Sequence, residues 1–144
     1  MFHKIKNVTP LRDFVLLAHF TDGTDKKYDM KPLIKEVDAF KPLKEIPGLF
    51  QLVKADVGGY GIVWNEDIDL DSEEIWVNGI ATETPFTGLI SMSDATVLWG
   101  LNESTLRKAI AYGKLIPGID VFNFGSQWIV TAAAMQREYS EITD

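Results

Sequence analysis

The 144-residue chain has no cysteine and only two histidines. The lack of cysteine excludes a disulfide framework, a thiolate metal site and a cysteine nucleophile. The histidines, His3 and His19, have no partner at a fixed spacing, so neither indicates a metal site or a general base. The longest apolar run, Phe14–Ala18, is far too short to span a membrane, and no secretory signal is apparent. We therefore expect a cytoplasmic protein without membrane contact, cofactor, metal or catalytic residues.

Positive charge is also scarce. The chain has 14 lysines and arginines against 21 aspartates and glutamates, which gives a formal net charge of −7. After Thr82 the cations are Arg107, Lys108, Lys114 and Arg137, against seven acidic residues. A protein that binds nucleic acid draws most of its affinity from cations near phosphates. Any such binding here would need a local cluster of cations and a dimer.

The first half of the chain alternates short β-prone runs with turn residues. Hairpins are predicted around Asp22–Gly23 and Gly58–Gly59, and short helices are predicted after Pro32 and after Ser72. The stretch from 65 to 71 is predicted to be an acidic loop. These signals predict a small α+β domain over residues 1–79. We expect a linker over residues 80–90 and a second domain over residues 91–144.

The stretch Ser91–Ile110 is predicted to form two short helices joined by a tight turn. Gly100 suits the left-handed conformation of such a turn, and Asn102 suits the N-cap of the second helix. Leu106 and Ile110 fall on one face of that helix, as does Ala109. This pattern is typical of a helix-turn-helix, whose second helix can lie in the DNA major groove.

The rest of the chain predicts a hairpin over residues 119–130, with its turn at Gly125–Ser126, and a last helix from Ala132 to about Glu141. Added to the two helices, these elements predict a mainly helical, winged helix-turn-helix domain. The predicted fold class is therefore α+β, with an N-terminal domain of two hairpins and short helices before the winged domain.

If the second helix contacts DNA, exposed polar side chains near it supply the contacts. Glu103 would accept from cytosine, Arg107 would bind guanine, and hydroxyl and cationic groups would meet base edges or phosphates. The predicted DNA-binding residues are Glu103, Ser104, Thr105, Arg107, Lys108, Tyr112, Lys114 and Gln127. The alternative is a helical hairpin that only packs, with a solvated polar face.

Two other motifs fail on spacing. The alternating acids of Asp67–Asp71 resemble the start of a calcium loop, but such a loop needs glycine at its sixth position and glutamate at its twelfth. Ser72 and Asn78 stand there instead. The glycines of Gly58–Gly61 lack the lysine and the following helix of a phosphate-binding loop. An acidic loop and a turn are the better interpretations.

The first half of the chain resembles domain-of-unknown-function family 2442. The matching features are the Asp22–Gly23 hairpin, the short helical region after Met30, the glycine hairpin that ends in Ile62–Asn65, and the closing segment from Asp69 to Ile75. In that family no catalytic role is established. Members often occur beside small proteins in apparent toxin–antitoxin gene pairs, and some carry a C-terminal helix-turn-helix.

Residues from Ser91 to Tyr139 resemble the winged helix-turn-helix of the excisionase and MerR-like families. The matching pieces are Ser93–Ala95, Leu98–Leu101, Ser104–Ile110, Gly113–Leu115 and the wing from Gly125 to Ile129. The tip of the wing departs from the pattern, because 123–127 carries no basic residue.

Together the resemblances imply a transcriptional regulator that binds double-stranded DNA, of the antitoxin type, and the scarcity of cations favours a homodimer on a two-fold site. One alternative is an interaction module that holds a basic, toxin-like protein without binding DNA. The other is an enzyme with an unrecognised site.

Overall fold

A computed structural model describes residues 2–142. This part of the chain divides into two compact units. The N-terminal unit comprises residues 2–20 and 24–85, and the C-terminal unit comprises residues 86–142 together with Thr21–Gly23. Each unit has its own hydrophobic core. Among the described residues, no helix combines the length and the apolar character that a membrane span requires.

The N-terminal unit is built on two antiparallel sheets with short helices between and after their strands. Its elements are β1 (Ile5–Pro10), β2 (Val15–Phe20), β3 (Asp25–Asp29), α1 (Lys31–Glu36), α2 (Pro42–Glu45), β4 (Lys54–Ala55), β5 (Gly61–Asn65), β6 (Ile68–Asp71), α3 (Ser72–Asn78) and β7 (Ile80–Ala81). One sheet has the order β1-β2-β3-β7 and the other the order β4-β5-β6. Aromatic side chains contribute to a mainly aliphatic core. Phe20, Phe50 and Trp64 are buried, and the Trp64 indole donates to the Phe50 carbonyl at 3.2 Å.

Two of these strands lie where the sequence predicted none. The predicted acidic loop contains β6, whose residues pair with β5 as Leu70 with Ile62 and Asp69 with Val63. The alternation of Ile68 and Leu70 with aspartates is a strand period, since alternate side chains point to opposite faces of a sheet. The predicted linker begins with β7, which extends the first sheet by pairing with β3.

The C-terminal unit places three helices with a three-stranded sheet. Its elements are β8 (Leu89–Ser91), α4 (Met92–Trp99), α5 (Glu103–Ala111), β9 (Val121–Phe124), β10 (Gln127–Thr131) and α6 (Ala132–Tyr139). The sheet is antiparallel with the order β8-β10-β9. Its core contains Ile90 and Val130 from paired strands and Leu106 from α5, all buried.

The prediction of a mainly helical, winged helix-turn-helix domain is wrong. Strand β8 adds a third strand to the predicted hairpin. Ile90 of β8 pairs with Val130 of β10, and both side chains are buried. Pro85 and Gly88 made this segment look like a linker, and three residues are too few to show a period. Residues 2–142 have a mixed α/β fold with three antiparallel sheets and six short α-helices.

At three places a strand passes into a helix without a loop. Asp71 ends β6, Ser91 ends β8 and Thr131 ends β10, and each is also the N-cap of the helix that follows. Each side chain accepts a hydrogen bond from a backbone N–H of the first helical turn. This bond satisfies one of the four N–H groups that a helix start leaves unpaired.

The turn between β1 and β2 is strained. Asp13 and Phe14 have φ values of 60° and 59°, in the left-handed region that favours glycine. Asp13 tolerates this region better than Phe14, because a short polar side chain suits it. Helix α1 holds the turn, since the Met30 N–H donates to the Phe14 carbonyl at 2.9 Å and the Lys31 ammonium donates to the Asp13 carbonyl at 2.6 Å.

Substitutions at Asp13 test this strain. Its side chain is exposed, so packing contributes little. We expect Asp13→Gly to raise the free energy of unfolding by up to about 1 kcal/mol and Asp13→Val to lower it by about 1–2 kcal/mol, measured by urea denaturation. Asp69 is an exposed residue of extended strand β6 and serves as the control. There valine should be the more stable of the two, and the same order at both positions would contradict the strain.

Candidate nucleic-acid interface

Helices α4 and α5 are joined by the tight turn that the sequence predicted. Helix α4 begins after Ser91, whose hydroxyl accepts from the Asp94 N–H at 3.1 Å. It ends at Gly100, which has φ 63° and ψ 39°. The left-handed conformation of Gly100 is thereby confirmed, and the Leu101 N–H returns to the Thr96 carbonyl at 2.9 Å. This turn sets the start of α5 two residues later.

Helix α5 has one buried face and one exposed face. Leu106 and Ala109 are buried and Ile110 is half-buried, as the spacing predicted. Asn102 is the N-cap residue, but its side chain makes no capping hydrogen bond, which corrects the expected role of that side chain. The remaining side chains of α5 are exposed to solvent.

All eight predicted DNA-binding residues are exposed. Five of them lie on α5, and Tyr112 and Lys114 follow its C-terminal end. Gln127 instead lies at the start of β10, paired with Phe124 across the hairpin turn. Within residues 2–142, no hydrogen bond or ion pair joins Gln127 to the other seven. The structure therefore groups seven of the residues along one helix and its end.

Two of the predicted contact cations already have partners. The Arg107 guanidinium donates to Glu103 at 2.8 Å, one helical turn away, and both side chains are more than half exposed. The Lys114 ammonium lies 4.5 Å from the centre of the Tyr139 ring. Lys108 makes no ion pair within residues 2–142. An exposed pair of this kind contributes only about 0.3–0.5 kcal/mol, so Arg107 is readily released.

An ion pair between a buried carboxylate and an exposed arginine fixes the loop that follows α5. Asp120 is 3% exposed and accepts from Arg137 of α6 at 2.7 and 3.1 Å. It also accepts from the Ile116 N–H at 2.9 Å, and Arg137 reaches the Lys114 carbonyl at 3.5 Å. Residues 114–120 are thereby tied to α6. The sequence analysis counted Asp120 and Arg137 only as charges, since nothing at a separation of 17 residues marks them as partners.

The hairpin of β9 and β10 ends in an apolar tip. Gly125 has φ 65° and makes the turn, beside Phe124, which is 78% exposed. Phe122 of β9 and Ile119, which precedes β9 at the other end of the hairpin, are exposed as well. The tip therefore offers apolar surface and the Gln127 amide, but no cation for a phosphate.

The chemistry of this surface is that of recognition by hydroxyl, amide and cationic groups. Within residues 2–142, no group of three histidines, cysteines, aspartates or glutamates is placed to hold a metal ion. The buried Asp120 already accepts hydrogen bonds from Arg137 and from the Ile116 N–H. The eight exposed residues present hydroxyl, amide, carboxylate and cationic groups to solvent.

The sequence model of DUF2442, a protein family of unknown function, matches residues 5–81. This match covers just over half of the 144-residue chain and extends from the first residue of β1 to the last of β7. The chain belongs to the DUF2442 family. The predicted resemblance of the first half is confirmed, and the DUF2442 region is rich in strands. No family match supports the predicted excisionase/MerR-like resemblance of the second half.

One solved structure is similar over most of the DUF2442 chain. It is the crystal structure of a protein from Nitrosomonas europaea ATCC 19718 described as a putative DNA-binding protein, with 14% identity and a TM-score of 0.47. The match covers 82% of this chain and 81% of that chain. A likeness of this degree says nothing about what the present chain binds. The comparison with curated proteins gives no match.

The Asp120–Arg137 pair predicts a pH-dependent stability of the C-terminal unit. The hydrogen bonds from Arg137 and Ile116 hold the pKa of Asp120 below its usual range. Its stabilisation is therefore fully present above the unfolded pKa, about 3.9, and is lost as the pH falls through the folded pKa. We expect Asp120→Asn to lower the thermal unfolding temperature at pH 7 and to have a smaller effect at pH 3.

The control for this measurement is Glu83→Gln. Glu83 is an exposed carboxylate without a hydrogen bond or ion pair within residues 2–142. Calorimetry at both pH values should show little effect of this change. An equal loss from Asp120→Asn at pH 7 and pH 3 would mean that the charge of Asp120 does not stabilise the fold.

Proposed function

We propose that the chain is a DNA-binding transcriptional regulator that contacts the major groove with helix α5. The observation that carries this proposal is the division of α5 into an anchored face and an exposed one. Leu106 and Ala109 hold the helix to the core, while Ser104, Arg107 and Lys108 face solvent. A helix held in this way can enter a groove about 12 Å wide without losing its packing.

The energetic balance at Arg107 favours transfer from Glu103 to DNA. Breaking the exposed pair costs about 0.3–0.5 kcal/mol, whereas a bidentate contact to guanine contributes about 1–3 kcal/mol of discrimination. Glu103, once released, would accept from cytosine. Ser104 and Thr105 would reach base edges, and Lys108, Tyr112, Lys114 and Gln127 would meet phosphates.

The shortage of cations favours a homodimer on a two-fold site. Each subunit would bring Arg107, Lys108 and Lys114 to the DNA, and two linked half-sites multiply such modest contacts. The acidic balance of the chain would suppress nonspecific binding. We further propose that the chain acts by binding and not by catalysis, and that it is the antitoxin of a gene pair whose own promoter it represses.

Fluorescence anisotropy with DNA from upstream of the gene tests this proposal. We expect affinity to fall with salt at a slope of about −0.9 for each phosphate neutralised. Lys108→Ala should reduce the size of that slope by about 1 on every sequence. Arg107→Ala should cost about 1–3 kcal/mol on the upstream site only.

Arg12→Ala is the matched control, since Arg12 is an exposed arginine of the N-terminal unit. It should leave both the affinity and the slope unchanged. Binding that does not respond to salt, or equal losses from Arg107→Ala and Arg12→Ala, would refute contact through α5.

The exposed apolar side chains of β9 and of the segment before it favour a second candidate function, binding of a protein partner. Ile119 is 66% and Phe124 78% exposed, and large apolar groups at an exposed site are typical of interaction surfaces. A small basic toxin would add complementary charge to an acidic chain. In this case the chain would hold its partner without contacting DNA.

Co-purification with the product of the adjacent gene separates the two functions. If these exposed apolar side chains bind this partner, Ile119→Ser with Phe124→Ser should weaken the complex by about tenfold or more, because two apolar anchors are lost. Arg107→Ala should leave the complex intact. The reverse pattern, measured by titration calorimetry, would place the partner on α5.

A further inference from the structure

The N-terminal unit contains a cavity of about 750 Å³ beside the strained turn. This volume falls within the range of about 300–1,000 Å³ that is usual for small-molecule sites. Helices α1 and α2 and the turn between β1 and β2 form its wall. The lining residues are Asp13, Phe14, Lys31, Ile34, Lys35, Lys41, Lys44 and Glu45.

Lysines are concentrated around this cavity although the chain as a whole is acidic. Lys31 lies 3.0 Å from Asp29, and Lys41 lies 3.6 Å from Asp38, so nearby carboxylates balance these two charges. The side-chain ammonium groups of Lys35 and Lys44 have no hydrogen-bond or ion-pair partner within residues 2–142. The cavity therefore has two ammonium groups that are available for a ligand.

The carboxylates that line the cavity do not form ion pairs with Lys35 or Lys44. Asp13 and Glu45 line the cavity, yet neither forms an ion pair within residues 2–142. They lower the local positive potential, and they can accept hydrogen bonds from hydroxyl groups of a ligand.

The apolar part of the wall packs against the core of the unit. Ile34 is buried, and Phe14 packs against Phe50 with ring centroids 5.1 Å apart. Phe14 keeps this position at a φ of 59°, next to Asp13 at 60°. Strained residues of this kind persist only where the surrounding structure fixes them, and they cluster at ligand sites. The strained turn thus presents an aromatic ring beside the lysines.

We propose that this cavity binds an aromatic phosphate monoester. A monoester carries about −1.5 to −2 charges at pH 7, which matches two unpaired ammonium groups. Lysine binds phosphate as a point charge and needs no planar fork. The aromatic body would pack on Phe14 and Ile34, where removal from water adds to the affinity. The site lies wholly in the DUF2442 region and does not depend on the function proposed for α5.

Titration calorimetry with 1-naphthyl phosphate tests the proposal on the full chain. We expect saturable binding that is tighter than that of 1-naphthol, inorganic phosphate or 1-naphthoate, because only the first probe has both the ring and the dianion. Equal binding of 1-naphthol would refute the role of the lysines. Tighter binding of 1-naphthoate would refute the assignment to phosphate.

Variants locate the site. Lys35→Gln with Lys44→Gln should weaken binding of 1-naphthyl phosphate on the order of tenfold or more, and Glu45→Gln should strengthen it by removing a like charge. Lys27→Gln with Lys54→Gln is the control, because both are exposed lysines of the same unit outside the cavity. Circular dichroism verifies that each variant is folded. Equal weakening by both double variants, or no saturable binding to the unaltered chain, would overturn the proposal.

Discussion

The antiparallel pairing of β8 with β10 is the constraint on which the C-terminal unit depends. It buries Ile90 beside Val130, and the last residue of β8, Ser91, caps α4. The position of α4 then fixes the position of its C-cap, Gly100, and the left-handed turn at Gly100 fixes the direction of α5. The exposed face of α5 is therefore positioned by a strand of only three residues, through hydrogen bonds and apolar burial that lie far from the polar surface itself.

The few cations of the chain are divided between structural and exposed roles. Arg137 is committed to the buried Asp120, because a lone carboxylate at that depth would be costly. Arg107 is held only by an exposed neighbour and is easily released. The ammonium groups of Lys35 and Lys44 have no partner in the part of the chain that the structure describes. Such a division explains how a strongly acidic chain can still present small regions that suit anions, although neither unit is basic overall.

Local signals in the sequence were sufficient for some features and not for others. The turn at Gly100 and the buried face of α5 each depend on a few adjacent residues, and the structure has both. Strands β7 and β8 have two and three residues, too few for a visible period, and their partners are distant in sequence. The separation of 17 residues in sequence likewise kept the Asp120–Arg137 pair from being predicted. The lysines of the cavity were within reach, since four of them lie between residues 31 and 44, but only the strained turn and the two helices bring them around one space.

The loop-free junctions after β6, β8 and β10 limit how the chain can change in length. At each one a single side chain both ends a strand and caps a helix, so an inserted residue would either shift the strand by one place or remove the cap. A shift by one place turns every side chain of that strand to the opposite face. Insertions and deletions among relatives should therefore collect in turns such as the one around Gly58–Gly59, while the spacing across Asp71, Ser91 and Thr131 stays constant.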